Sequence, residues 1–295
     1  MIILLNKNQL ASAKKFYIDY LVAKIPPYAL FSAKKNGTTI TGYLSGKVLF
    51  QGTNAETEGA ALSKFFGLKS SETATTPPLA NLSLLGSDEV GNGSYFGPLV
   101  VVATFAEEKM LPTLRKLGVK DSKMLKDPEI KEIAQQLMTI LPYKTLVVTP
   151  KKYNEYQQKF NAVEMKVLFH HHVLTQLAKE LPVKPAATLV DAFTTKASLT
   201  KYSKTHNLTW PQPFYFVEKG EQQHLAVAAA SMIARKLFLD YLEQDGASLG
   251  LPLPSGAGAK SDLVAAEILR QGGLDLLGEH AKLHFANTQK AEKLM

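Results

Sequence analysis

The sequence predicts an α/β protein with a central sheet, preceded by a small α+β unit. Three observations carry this. From residue 84 onward, short apolar strand candidates are interspersed with segments of helical period. Within residues 1–68, two helical patterns enclose three short β-prone runs. Between the two regions, residues 69–81 are polar, contain Pro77-Pro78 and show no periodicity, so they read as a linker. The expected organisation is therefore an N-terminal domain over 1–68, a linker over 69–81 and a larger domain over 82–295.

The elements follow in order. Leu10, Ala13, Phe16, Tyr17, Tyr20 and Leu21 have helical spacing, with lysines on the other face, which predicts a helix over 8–24. Tyr28–Phe31, Thr38–Thr41 and Lys47–Phe50 are the β-prone runs, and Asn36-Gly37 and Ser45-Gly46 are the turn signals between them. Residues 55–66 return to a helical pattern. Strand candidates then lie at 84–90, 99–105, 145–149, 187–193 and 213–217. Apolar residues at 156, 160, 163, 167, 174 and 177 form one face of a long helix. Residues 221–244 predict a second helix, alanine-rich near its start. A shorter one spans 262–270, with Ser261 or Asp262 as N-cap.

The chain has 295 residues and a formal net charge of +8. Residues 1–80 hold nine lysines and four acids, a balance of +5 that leaves +3 for the remaining 215. This asymmetry suits an N-terminal unit that holds a polyanion; a solvated lysine-rich helix face would look the same. The absence of cysteine excludes disulfides, thiolate metal sites and a thiol nucleophile. The apolar start, Met1 to Leu5, is too short for a signal peptide, and no stretch approaches the ~18 apolar residues of a membrane span. A soluble cytoplasmic protein is expected, with no membrane partner.

Chemistry concentrates in the stretch from Gly86 to Ala103. Asp88 and Glu89 end an apolar strand, and on an ideal strand neighbours point to opposite faces. Gly91 and Gly93 let the backbone bend at once and let a ligand approach the main chain. Acids beside glycines suit a hard cation such as Mg²⁺, but a polar turn between strands has the same composition. Asp191 interrupts the apolar run Leu189-Val190-Asp191-Ala192-Phe193, where a buried carboxylate needs a partner, a proton or a metal unless it sits at an exposed strand end. Glu221 follows Gly220 in the first turn of the Ala-rich helix. Four acids from two strands and a helix start can hold two divalent ions for phosphoryl displacement. His170-His171-His172 does not read as a metal site, since helix neighbours point about 100° apart. Tyr95 suits either core packing or contact with a sugar.

These residues resemble the type 2 ribonucleases H. The resemblance rests on Asp88-Glu89-Val90-Gly91-Asn92-Gly93 followed by Tyr95-Phe96-Gly97-Pro98. Lys120-Asp121-Ser122-Lys123, Val190-Asp191-Ala192-Phe193 and the run from Ala228 to Arg235 agree in order and spacing. Glu221, where the HII branch has Asp, and the N-terminal extension make the chain most similar to the HIII branch. That extension resembles a TATA-box-binding-protein repeat. The resemblance implies an RNase H-like fold and hydrolysis of the RNA strand of RNA/DNA hybrids, leaving 3′-hydroxyl and 5′-phosphate ends. It implies Asp88, Glu89, Asp191 and Glu221 as ligands of Mg²⁺ or Mn²⁺. It sets the Gly91-Asn92-Gly93 backbone against the ribose 2′-hydroxyl, with Asn92 where HII has Arg. Lys120 and Lys123 are expected near substrate phosphates, or else on a solvated loop. A monomer without an obligate protein partner is expected. Two other readings remain at this stage: a non-catalytic nucleic-acid binder, and a nuclease of similar fold that cuts DNA junctions.

Overall fold

The computed structural model describes residues 2–67, 79–119 and 125–295. Its backbone divides into two units, Met1–Pro77 and Pro78–Met295. The linker expected over 69–81 lies outside the described residues except for Leu79–Asn81. Those three form a 3₁₀ turn, and Leu79 is buried against Leu84, Ala187, Leu189 and Val227, so the turn belongs to the second unit's core.

The first unit comprises β1 (Ile2–Leu4), α1 (Lys7–Phe16), β2 (Ala29–Lys35), β3 (Thr38–Tyr43), β4 (Lys47–Gly52) and α2 (Ala55–Phe65). Its strands form an antiparallel sheet ordered β1-β4-β3-β2. Asn36 and Gly37 both take positive φ, 46° and 72°, as a tight hairpin between right-twisted strands requires. Ile3, Phe31, Ala33, Ile40, Val48 and Phe50 line one sheet face and meet Leu10, Ala13, Tyr17 and Leu62. The helix expected over 8–24 stops at Phe16. Tyr17 turns into this core and its hydroxyl donates to the Glu58 carbonyl at 3.3 Å. Beyond a 3₁₀ turn, the Val22 amide donates to the Ser32 carbonyl, so the chain runs along the sheet edge. β1 is unforeseen, because three residues are too few to display a period.

The second unit holds β5 (Leu84–Val90), β6 (Leu99–Ala106), α3 (Leu111–Lys116), α4 (Asp127–Ile140), β7 (Tyr143–Val148), α5 (Pro150–Gln157) and α6 (Ala162–Glu180). It continues with β8 (Ala187–Asp191), α7 (Lys196–Thr205), β9 (Phe214–Val217), α8 (Gly220–Gln223), α9 (Leu225–Leu249), α10 (Ala259–His280) and α11 (Ala286–Glu292). The expected mixed sheet is ordered β7-β6-β5-β8-β9; β7, β6 and β5 pair antiparallel, while β5, β8 and β9 pair parallel. Every residue of β6 is buried, because helices cover both faces. Val100 and Val102 pack towards α9, and Leu99, Val101, Ala103 and Phe105 pack towards α6.

Three helix expectations are revised. The helix read from 156 to 177 is two: α5 ends at Gln157, and Asn161 starts α6 by accepting from the Glu164 amide at 3.0 Å. The helix read from 221 to 244 is broken at His224, whose extended backbone (φ −151°) separates α8 from α9. α10 begins after Gly258; Ser261 and Asp262 are buried inside its first turn, where Asp262 accepts from the side-chain Nδ2 of Asn287.

Gly86 decides how α9 meets the sheet. A Cβ there would lie 2.4 Å from the Val227 amide nitrogen and 2.5 Å from the Ala226 carbonyl carbon. With hydrogen at that position, the helix backbone rests directly on β5. Thr104 fixes the seat by donating to the Ala226 carbonyl at 2.7 Å. Ala226, Ala228, Ala229 and Ala230 are fully buried there, which explains the alanine run.

Candidate active site

Strand register brings the acids together. In the parallel pair, Ser87 lies opposite Val190, the last paired position, so the next residues, Asp88 within β5 and Asp191 at the end of β8, come side by side on one face. Asp191 Oδ1 accepts from the Gly220 amide at 2.7 Å. That bond holds the first turn of α8, and Glu221 with it, against the end of β8. Glu221 is buried. The arrangement occupies the carboxyl ends of parallel strands, where open α/β sheets bind ligands.

Asp88 and Glu89 point to opposite faces, as their strand positions predict. Asp88 faces α9, where Ser231 hydrogen-bonds it. Burial, then the charges of Glu89 and Asp191, raise its carboxyl from 3.8 to about 8, against the opposing hydrogen bonds from Ser231 and the Glu89 amide. Glu89 faces α6. Its Oε1 lies 3.1 Å from Lys166 Nζ and its Oε2 lies 3.0 Å from His170 Nε2. Burial works against its charge, but the hydrogen bonds and charges of His170 and Lys166 outweigh it and hold this carboxyl below its ordinary value. The four acids thus share one end of the sheet, yet no three of them are grouped as a ready ligand set among the described residues. Lys166 and His170 keep Glu89 on the α6 side.

Lys166 and His170 carry no functional reading in the sequence. A signal is present, however: they stand four residues apart on the buried stripe of α6, among Met165, Phe169, Val173, Leu174 and Leu177. A lysine on such a stripe demands a partner. The other two histidines do not converge with His170; His171 meets the Thr209 carbonyl and the Trp210 ring, and His172 is exposed.

The glycine loop divides its labour. Gly91 has φ +99°, and a Cβ there would lie 2.1 Å from the Pro98 carbonyl oxygen. It is required by the turn itself. Asn92 and Gly93 are exposed, and a Cβ on Gly93 would meet nothing within 4 Å. Gly93 is therefore free of internal demand and open to approach from outside. The far end of the loop is anchored. Lys282, fully buried, donates from Nζ to the Ser94 carbonyl at 2.8 Å and also to that of Gly97. Burial pushes its ammonium down to about 7. Tyr95 is core rather than surface: it is fully buried, with its hydroxyl 2.9 Å from Thr288 Oγ1. Lys120 and Lys123 lie outside the described residues.

This split has a measurable outcome. Gly91→Ala is expected to destabilise the protein by on the order of 2–4 kcal/mol, through left-handed backbone strain and the clash with Pro98. Gly93→Ala is expected to leave thermal unfolding unchanged while slowing turnover. Equal losses of stability in both variants would contradict the division.

Comparison with known proteins bears on the family and the fold. The family pattern described as Ribonuclease HII matches residues 85–288, and that of a domain of unknown function matches residues 1–77. Ribonuclease HIII of Enterococcus faecalis is 49% identical over 300 residues, covering 100% of this chain and 98% of the relative. Ribonuclease HIII of Bacillus subtilis is 42% identical over 304 residues, covering 99% and 97%. Among solved structures, Bst-RNase HIII in complex with Mn²⁺ superposes with a TM-score of 0.71 at 38% identity, covering 99% of this chain and 98% of that one. Ribonuclease H2 of Pyrococcus horikoshii gives a TM-score of 0.59 at 25% identity, covering 72% of this chain and 98% of that one.

Proposed function

The chain belongs to the type 2 ribonuclease H family, in its HIII branch, and from that premise we propose how its residues carry out the reaction. It is an endoribonuclease that hydrolyses the RNA strand of RNA/DNA hybrids with Mg²⁺ or Mn²⁺. The observation that carries the mechanism is the register that sets Asp88 beside Asp191, with Glu221 tied to the same strand end.

Asp88, Glu89, Asp191 and Glu221 would hold the divalent ion. The fit is chemical: all four offer carboxylate oxygens, the donors hard cations take. The raised carboxyl of Asp88 reflects burial first and then the charges of Glu89 and Asp191, and a bound cation would offset both. Held there, the ion would supply a polarised water and offset charge on the phosphodiester, and hydrolysis in the direction expected of the family would leave 3′-hydroxyl and 5′-phosphate ends. The chain's own groups orient the substrate. The exposed Asn92-Gly93 backbone lies against the 2′-hydroxyl, the group that separates RNA from DNA; phosphate contacts are assigned to Lys120 and Lys123 from the sequence resemblance alone, since both lie outside the described residues. This loop favours the ribonuclease reading over a DNA-junction nuclease, which has no 2′-hydroxyl to read. Cleavage of labelled RNA/DNA hybrid, double-stranded DNA and a four-way junction, each with Mg²⁺, Mn²⁺ or EDTA, tests the whole reading. Cleavage confined to the hybrid and abolished by EDTA is expected; metal-independent cleavage would refute the site.

The N-terminal unit holds the hybrid through its outward sheet face. Lys34, Thr39 and Gln51 form one row across β2, β3 and β4, and Lys47 pairs with Leu4 at the other end. Lys35 is not part of this face, because its ammonium sits 3.2 Å from Glu58 Oε2. Contacts of this kind go to phosphates and weaken with salt. Deleting residues 1–75 is expected to raise KM on the order of tenfold or more while lowering kcat much less. Unchanged affinity for the hybrid would contradict the role. The catalytic acids and the ribose-facing loop come from one chain, which supports action as a monomer without an obligate protein partner. Among the described residues, no helix is long and apolar enough to cross a membrane. We place the enzyme in the cytoplasm, where its substrate arises.

A further inference from the structure

Glu89 is held by a cation that belongs to the protein. The Lys166 and Glu89 side chains are only 7% and 10% exposed, so their attraction is little screened by solvent. Phe193, two residues beyond Asp191, seals the pair. Its carbonyl lies 3.4 Å from Lys166 Nζ, its ring lies 4.8 Å from the same ammonium, and it stacks on His170 with centroids 4.7 Å apart. His170 is braced in turn by Ser87. That hydroxyl donates to the Val102 carbonyl at 2.9 Å and lies 2.7 Å from His170 Nδ1. Lys166 therefore occupies a built pocket rather than a chance surface contact. A fixed positive charge 3.1 Å from a carboxylate both neutralises it and repels a second cation approaching the same oxygens.

We propose that Lys166 is a positioning residue that competes with divalent cations for Glu89 and so sets how much free Mg²⁺ or Mn²⁺ the enzyme requires. The proposal rests on the reading of Glu89 as a metal ligand. Lys166 makes the site demanding: an ion must displace the ammonium's hold on Glu89 before it gains that ligand. The displaced ammonium keeps the Phe193 carbonyl and ring as its remaining neighbours, both already in contact. The cost of giving up Glu89 is thereby reduced, and the site can switch between the two cations.

The experiment is calorimetric titration of the full-length, substrate-free protein with MnCl₂ and with MgCl₂. It compares wild type with Lys166→Met, Lys166→Arg and Glu89→Gln. Lys166→Met is expected to bind Mn²⁺ more tightly, on the order of tenfold, and Lys166→Arg to stay near wild type. The Mg²⁺ concentration that gives half-maximal cleavage should fall in parallel for Lys166→Met. Lys166→Gln, which keeps a hydrogen-bond donor without the charge, replaces Lys166→Met should the latter fail to melt cooperatively. Unchanged affinity on removing the charge overturns the proposal, and weaker affinity does so too, since it would make Lys166 a support for metal binding. Glu89→Gln separates the two readings. If it leaves metal affinity intact, Glu89 is not a ligand. If it weakens binding while Lys166→Met does not strengthen it, only the competition is wrong.

Discussion

Asp88→Asn is expected to abolish hybrid cleavage, by on the order of a thousandfold or more in kcat, while making the metal-free protein more stable at alkaline pH. The two effects share one cause. The Asp88 carboxyl is raised in the folded state to about 8 from 3.8, so folding favours its protonated form. The stability this group contributes is complete below its unfolded value and is lost as pH rises through about 8. Asparagine resembles the protonated acid and does not ionise. In EDTA, the variant should therefore melt above wild type on the alkaline side of about pH 8, and the gap should close as the pH falls towards 4. Hybrid binding should persist, because the backbone loop and the basic unit are untouched. A variant that keeps full activity would remove Asp88 from the site. One that melts below wild type at alkaline pH would show that burial and neighbouring charge do not penalise the ionised form of Asp88 as described.

Gly86→Ala is expected to cost on the order of 3 kcal/mol, lowering Tm by about 5–10 °C, with a loss of turnover in the molecules that remain folded. The added methyl meets backbone atoms of Val227 and Ala226, which no side-chain rotamer can relieve. Helix α9 would have to lift from β5. That helix carries Ser231, which hydrogen-bonds Asp88, so the displacement reaches the chemistry as well as the core. Differential scanning calorimetry and steady-state kinetics on the same preparation check both parts. A wild-type Tm would mean that the close approach of α9 is dispensable.

Much of this site is legible in the sequence because strand parity is local. Asp88 and Glu89 follow Gly86 and Ser87 in alternation, so their opposite facing follows from position alone. The Gly91-Asn92-Gly93 bend is legible for the same reason. The neighbourhood of Asp191 is a different matter. It depends on Ser87 pairing with Val190 across 103 residues, and periodicity says nothing about which strand pairs with which. Glu89's partners were hidden by their surroundings, since α6 reads as a core helix and Lys166 and His170 sit within that stripe. Boundaries suffered where tertiary contacts overrode local pattern. Tyr17 ends α1 by entering the core, and His224 splits an otherwise continuous helical pattern because its ring Nδ1 accepts from the Ala226 amide.

The anchoring of the glycine loop bears on the order in which the enzyme is made. Asp88 and Glu89 emerge early, but the loop that follows them is shaped by residues far downstream. The Tyr95 amide donates to the Gly256 carbonyl, the Lys282 amide donates to the Tyr95 carbonyl, and the Tyr95 hydroxyl meets Thr288, 193 residues away in the chain. During synthesis, a nascent chain can pair β5 with β6 long before any of these partners has left the ribosome. It then carries Asp88 and Glu89 without the contacts that anchor the loop beside them. The loop is thus among the last parts of this unit to be fully braced, since one of its anchors waits on Thr288 being translated and docked.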